Sequence, residues 1–245
     1  MAAKKAPAVM KCENTFCPGC GHSIFDRLLG EVLTEMGVLG DCIACSDIGC
    51  NHMFQYSMNL DVVVPPHGKM GAAMTAMKHV RPDKYIFTIA GDGGAYAIGM
   101  GETMTAAMRD ENVTFFVMNN NLFAMTGGQM APTTEPNQKS ASTQAGRDPS
   151  VDGKTFDVVR AMGNMDIAYL ARAAVTSPAR IAQAKKYIRK ALEKQARGEG
   201  FTLVEFLVPC PTNWGLTPQK AMERIENELI PRHPLGEFID RGGDK

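Results

Sequence analysis

"YIFTIAGDGGAYAIGMGETMTAAMRDENVTFFVMNNN", residues 85 to 121, holds two apolar runs separated by a glycine-rich turn and a stretch of small residues. The first run ends in Gly91-Asp92-Gly93-Gly94, the second in Asn119-Asn120-Asn121. Apolar runs of this length, with β-branched and aromatic residues, are the pattern of strands covered on both faces in a parallel sheet. The spacing predicts a strand over 84–94, a helix over 95–110 and a second strand over 112–121. Strand, helix, strand is a βαβ unit with a right-handed crossover, so the two strand ends lie side by side.

The flanking sequence repeats this alternation. Residues 22–36 carry Ile24, Leu28, Leu29 and Val32 at helical spacing. "DVVVPPHG" (61–68) reads as a short strand stopped by two prolines, and "KMGAAMTAMKHV" (69–80) as a tightly packed helix. Downstream, 155–163 reads as a helix, 166–173 and 200–210 as strands, and 217–230 as an amphipathic helix. "SPARIAQAKKYIRKALEKQAR" (177–197) opens on Ser-Pro, a helix start. Residues 124–154 are rich in turn formers and too long for a plain connection, so they are either a surface loop or a segment that orders over a ligand or partner. There is no internal repeat. The fold class expected is α/β, three layers, a mostly parallel sheet with helices on both faces.

Bulk properties narrow the function. At 245 residues the chain can bury a full core without staples. Lys plus Arg and Asp plus Glu are both 26, which favours no nucleic-acid partner. No apolar run approaches a membrane span, and the first residues lack the apolar centre of a secretory signal. The expected location is cytoplasmic. There, seven cysteines point to metal or redox chemistry before disulfides.

The glycine turn falls at the C-terminal end of a strand and the start of a helix, where open α/β sheets bind ligands. Gly91, Gly93 and Gly94 allow backbone amides close to an anion, and a helix N-terminus adds partial positive charge. Asp92 would repel phosphate unless a divalent cation sat between them. The neighbouring strand end supplies an asparagine amide as a further oxygen ligand. The cysteines are less decided. "CENTFCPGCGH" (12–22) contains Cys17-x-x-Cys20, "CIACSDIGC" (42–50) contains Cys42, Cys45 and Cys50, and Cys210 follows the last strand. Four thiolates suit structural zinc and an iron–sulfur cluster equally. The residues alone allow any of Cys42, Cys45 and Cys50 as a ligand.

Taken with "CPGCGH", "CSDIGC", "PPHGK", "NNNLFAMTGGQMAPTT" and "PCPTNWGLTP", the GDG…NN pattern resembles the thiamine-diphosphate-binding β subunit of the 2-oxoacid:ferredoxin oxidoreductases, over roughly Cys12 to Phe238. The "PCPTNWGLTP" tail is similar to the branch acting on 2-oxoglutarate or 2-oxoisovalerate. The resemblance implies a thiamine-diphosphate-binding fold and three regions: an N-terminal extension (1–16), a thiamine diphosphate and [4Fe–4S] domain (17–216), and a C-terminal helix and tail (217–245). It implies a [4Fe–4S] cluster on Cys17, Cys20, Cys45 and Cys210, with Cys12 a bystander. It implies Mg²⁺ on Asp92, Asn120 and the Leu122 carbonyl, with Gly91, Gly93 and Gly94 toward the diphosphate. Ser46, Thr126, Gly127 and Gly128 are implied around the cofactor, His67 as a cofactor or catalytic contact, and Trp214 as packing beside the fourth cysteine. The activity implied is coenzyme-A-dependent oxidative decarboxylation of a 2-oxoacid, with electrons passed through the cluster to ferredoxin. The partners implied are an α subunit, which brings the catalytic glutamate, and possible γ and δ subunits, in a multimer of αβ units. Two other readings stand beside it: a thiamine-diphosphate decarboxylase or synthase subunit with structural zinc, and an electron-transfer subunit with a degenerate thiamine site. Two departures bear on substrate. Ile48 and Cys50 stand where some relatives carry a lysine after the third cysteine, and Met125 stands where some have a polar residue. The first leaves the substrate range open; the second suggests a more apolar pocket, suited to branched or aromatic 2-oxoacids.

Overall fold

A computed structural model describes residues 6–11 and 15–242; Cys12 lies outside the described residues. Helix α1 (Gly21–Met36) leads into strand β1 (Cys42–Ser46), a short helix α2 (Phe54–Ser57), strand β2 (Asp61–Val63) and helix α3 (Met70–Val80). The opening segment follows as β3 (Tyr85–Gly91), α4 (Met100–Met108) and β4 (Thr114–Asn119). A small ribbon, β5 (Leu122–Phe123) with β6 (Gln129–Met130), comes next. Then follow α5 (Val158–Met162), β7 (Tyr169–Ala174), α6 (Pro178–Ala196), β8 (Thr202–Leu207), the short α7 (Pro211–Trp214), α8 (Pro218–Arg224) continuing as α9 (Ile230–Arg232), and β9 (Gly236–Asp240).

Seven strands form one sheet in the order β2-β1-β3-β4-β8-β7-β9, parallel except β9. Helices cover both faces, as the near-continuous apolar strands require. Strand alternation sorts the core into two layers. Phe87 and Ile89 of β3, with Phe116 of β4 and Phe206 of β8, meet Phe25 of α1 and the buried side of α6. Ile86 and Ala90 of β3, with Phe115 and Val117 of β4, meet Met70 and Met74 of α3 and Ala106 and Ala107 of α4. The tilted Phe25–Phe206 rings, 5.0 Å apart, anchor the first layer.

Three features differ from the sequence expectation. Residues 42–46, short and built of small side chains, form a full interior strand because β2 and β3 flank it. The helix expected over 95–110 begins with a wide turn, Gly99 N–H donating to the Gly94 carbonyl at 2.8 Å, before α4 starts. The C-terminal segment, expected as a helix and tail, returns to the sheet as β9, antiparallel to β7. The long segment 124–154 is ordered, and Arg147 shows why. Its buried guanidinium donates to the carbonyls of Ala131, Pro132, Thr134, Asp152, Gly153 and Lys154. One fixed planar fork thus substitutes for the regular hydrogen bonding the segment lacks.

Candidate functional site

Strand order reverses between β1 and β3, since β2 lies to one side of β1 and β4 to the other side of β3. A crevice opens at the C-terminal ends of strands at such a point. The residues following β1 (Ile48, Gly49, Cys50, Asn51), the glycine turn after β3 (Gly91 to Gly94) and the segment after β4 (Asn120, Leu122 to Thr126) line it, with His22 and His67.

The glycines are dictated by packing. A Cβ at Gly93 would run into the Phe123 ring, and one at Gly94 into the Asp47 carboxylate. Asp92 is buried, and one oxygen, Oδ2, accepts from the Thr133 hydroxyl. The other, Oδ1, has no hydrogen-bond partner among the described residues. Burial, reinforced by repulsion from Glu205, pushes the Asp92 carboxyl up to about 7 against the pull of Thr133. A divalent cation at Oδ1 would satisfy the orphaned oxygen and restore its charge.

Beside it, the three asparagines form a tight turn. Asn121 is buried in the left-handed conformation (φ 62°), which asparagine tolerates. Asn120 Oδ1 accepts from the Leu122 N–H at 3.1 Å, and the Asn120 carbonyl accepts from Trp214 Nε1 at 3.0 Å. Trp214, expected only to pack, therefore ties the segment after β8 to this turn. Asp92, Asn120 and Leu122 all line the crevice, where a divalent cation would find the orphaned Asp92 oxygen as a ligand.

His67 lines the crevice with its Nδ1 2.9 Å from Asp47 Oδ1. The same oxygen accepts the Gly68 N–H at 3.1 Å. The hydrogen bond to Asp47 raises the His67 pKa, with burial opposing it. Asp47 was missed at the sequence level, because the strand it follows was not legible there. Lys69 does not face the crevice and pairs with Glu102 on the surface.

A second pocket adjoins the first, lined by Phe16, Cys17, Cys20, Cys50, Cys210 and Asn213 among others. Gly21 explains how α1 reaches it: a Cβ there would lie 2.7 Å from both Val208 and Pro209, so the glycine brings Cys20 against the chain entering Cys210. The Gly21 N–H donates to the Pro209 carbonyl at 3.2 Å. Here the expected cysteine set needs correction. Cys45 is fully buried in β1 with its side chain in the α3–α4 layer, and strand alternation points it away from the pocket. Cys50, five residues on, leaves the strand and lines the pocket. Cys42, at the start of β1, donates its thiol to the Val38 carbonyl at 3.2 Å. Ser46 is corrected likewise. Its buried hydroxyl donates to the Asn51 carbonyl at 2.9 Å, bracing the Cys50–Asn51 turn instead of lining the crevice. Thr126 lines the crevice and Gly127 the cysteine pocket, while Gly128 packs on Asn213.

Burial and mutual repulsion push the Cys20 thiol up to about 12 and Cys50 up to about 11; burial also raises Cys210. As thiolates these groups need positive charge among them. Among the described residues no three His, Cys, Asp or Glu side chains converge on a single ion. An iron–sulfur cube binds each thiolate to a different iron, and so takes them further apart than one ion does. His22, Cys50, Asn120, Ala124 and Met125 line both pockets and form their shared wall. His22 Nδ1 lies 3.4 Å from Cys20 Sγ, and its Nε2 lies 3.0 Å from Asn51 Oδ1.

This sheet, with a glycine cradle and an orphaned carboxylate at its switch point, defines an α/β protein of the diphosphate-binding class. Comparison with known proteins makes that specific. Residues 47–206 match the family model of the thiamine pyrophosphate enzyme, C-terminal TPP binding domain, and the chain belongs to that family. It is 34% identical to ketoisovalerate oxidoreductase subunit VorA of Methanothermobacter thermautotrophicus, across 94% of this chain and 48% of that one. The chain thus spans about half the length of that relative. It is 29% identical to 2-oxoglutarate synthase subunit KorB of Methanocaldococcus jannaschii, across 92% of this chain and 87% of that one. Its fold matches 2-oxoglutarate:ferredoxin oxidoreductase from Magnetococcus marinus, solved with 2-oxoglutarate, coenzyme A and succinyl-CoA bound. The TM-score is 0.77 at 24% identity, covering 99% of this chain and 87% of that one. The resemblance to 2-oxoacid oxidoreductase subunits therefore holds. Among the described residues no helix is long and apolar enough to cross a membrane.

Proposed function

We propose that this chain is the cofactor-binding β subunit of a 2-oxoacid:ferredoxin oxidoreductase, acting with coenzyme A on a 2-oxoacid. The observation that carries the reading is the shared wall: the crevice holding Asp92 and a four-cysteine pocket lie back to back across His22, Cys50 and Asn120. When bound, thiamine diphosphate supplies the reactive carbon for decarboxylation and a [4Fe–4S] cluster supplies a one-electron acceptor. Asp92, Asn120 and the Leu122 carbonyl would hold Mg²⁺, and the amides around Gly93 and Gly94 would meet the diphosphate. Cys17, Cys20, Cys50 and Cys210 would hold the cluster. His67, whose pKa the hydrogen bond to Asp47 raises, offers a ring nitrogen at the crevice to a carboxylate or phosphate.

Ile48, Phe123 and half-exposed Met125 give the crevice mouth an apolar character, which suits a branched 2-oxoacid over 2-oxoglutarate. Among the described residues lining the crevice there is no glutamate. We infer that a partner α subunit brings that group, that ferredoxin takes the electrons, and that the assembly works in the cytoplasm. Iron, zinc and acid-labile sulfide on anaerobically purified protein test the reading. Four iron and four sulfide per chain support it; one zinc without sulfide overturns it in favour of a thiamine enzyme with a structural metal.

A further inference from the structure

A buried carboxylate away from both pockets, Glu205, reaches the cradle through a chain of hydrogen bonds. It sits in the middle of β8, 1% exposed, between Val117 of β4 and Arg172 of β7 in register. Arg172 Nε donates to Glu205 Oε2 at 2.5 Å, and its Nη2 to Asp157 at 3.0 Å. As a device for stability such a pair is a poor choice, because desolvating two charges is costly and apolar residues of similar volume do as well or better.

The other carboxylate oxygen has a directional task. Glu205 Oε1 accepts from Asn119 Nδ2 at 3.0 Å. A carboxylate only accepts, so this bond fixes which end of the Asn119 amide is which. Asn119 Oδ1 is thereby turned to accept from Asn121 N at 3.1 Å and from Asn121 Nδ2 at 3.2 Å. Asn121 Nδ2 also donates to the Thr133 carbonyl at 2.9 Å, and the Thr133 hydroxyl donates to Asp92 Oδ2. Thr134 Oγ1 closes the turn on the Asn121 carbonyl at 2.5 Å. The chain runs without a break from Glu205 to Asp92 and encloses Asn120.

We propose that Glu205 is a positioning residue for the cation–diphosphate cradle, acting through Asn119 and Asn121. The proposal rests on the cradle assigned above. With Glu205 in place the Asn119 amide has one orientation, Asn121 is held in its left-handed conformation, and the loops carrying Asp92 and Asn120 keep a set separation. Without it the amide can rotate and the two loops come apart. Outer partners of metal ligands that act in this way typically weaken metal affinity ~10–100-fold when removed.

The test is Mg²⁺-dependent binding of thiamine diphosphate to the purified enzyme stripped of cofactor, followed by calorimetry. The double variant Arg172→Met/Glu205→Leu replaces the ion pair with apolar volume and removes the Asn119 acceptor. The expected result is ~10–100-fold weaker binding in a stripped protein that still melts in one cooperative transition. Asn121→Gly, which keeps the backbone conformation and removes the bridge to Thr133, should weaken binding similarly. Adding the double change to Asn121→Gly should then cost little more, because both break one chain. Rescue by Glu205→Gln, whose amide oxygen can still accept from Asn119, would fit positioning. Unchanged affinity in the folded apolar-pair variant overturns the proposal; if that variant does not fold, unchanged affinity in Asn121→Gly overturns it. Failure of the cradle itself looks different: Asp92→Ala would then bind the cofactor as tightly as the parent protein.

Discussion

Cys45 and Cys50 lie five residues apart and face different environments. A side chain within a strand is aimed by alternation, while one beyond the strand end is free to turn toward the crevice. Cys50→Ser should therefore strip iron from the purified protein, and Cys45→Ser should leave the iron content near that of the parent, checked by iron and sulfide analysis. At the crevice, Asp47 supports His67. Asp47→Asn keeps an acceptor for the Gly68 N–H and removes the charge that raises the His67 pKa. The pH at which the His67 ring loses its proton should move down, read from its ring C–H resonances by NMR. An unmoved midpoint would remove Asp47 from that role.

Two elements hold groups whose burial has measurable consequences. The segment 124–154 has little regular structure and depends on Arg147. Arg147→Ala leaves several buried carbonyls without donors, at ~1–3 kcal/mol for each one that water cannot reach. The expected outcome is a large drop in melting temperature and rapid proteolysis within 124–154. In α1, Asp26 is buried and accepts from the Ser57 hydroxyl at 2.6 Å. Burial pushes its carboxyl up from 3.8 to about 7, against the Ser57 bond. The folded state then binds the proton more tightly than the unfolded one between those values, so stability falls as pH rises from about 4 through about 7. The full loss is roughly 4 kcal/mol, from about three pH units at 1.36 kcal/mol each. Asp26→Asn should melt higher than the parent at pH 8 and show a flatter pH dependence across that window.

Across the whole molecule, the C-terminal segment is clamped to the rest by charge. His233 Nε2 lies 2.6 Å from Glu135 of the long segment and its Nδ1 3.0 Å from Asp157 before α5. Arg232 pairs with Glu135, and Arg172 with Asp157. Burial opposes charge on His233, but the bonds to Asp157 and Glu135 prevail and raise it from 6.5 to about 9. The clamp's contribution is therefore complete below about pH 6.5 and is lost as pH rises through about 9. Melting temperature should fall across that range in the parent and less so in His233→Leu. At the level of assembly, the isolated chain with a 2-oxoacid, coenzyme A, thiamine diphosphate and Mg²⁺ should show no turnover; turnover without any partner would remove the need for an α subunit.

Local pattern was enough for the layered α/β plan, the βαβ unit at 85–121 and the meeting of Gly91, Asp92 and Asn120 in one crevice. Strand period, helix period and glycine turns act over a few residues, and the two strand ends are brought together by the crossover alone. Tertiary structure decided what depends on distant neighbours. Strand β1 exists because β2 and β3 flank it, and β9 because β7 offers an open edge. Cys50 joins Cys17, Cys20 and Cys210 because Gly21 lets α1 close on the end of β8. Asp47 matters because His67 folds onto it, and Glu205 because β4 and β7 deliver Asn119 and Arg172 to its two oxygens. Spacing along a chain sets which residues share an element; which oxygen meets which donor across a sheet is set by register and packing, and these appear only when the whole core is assembled.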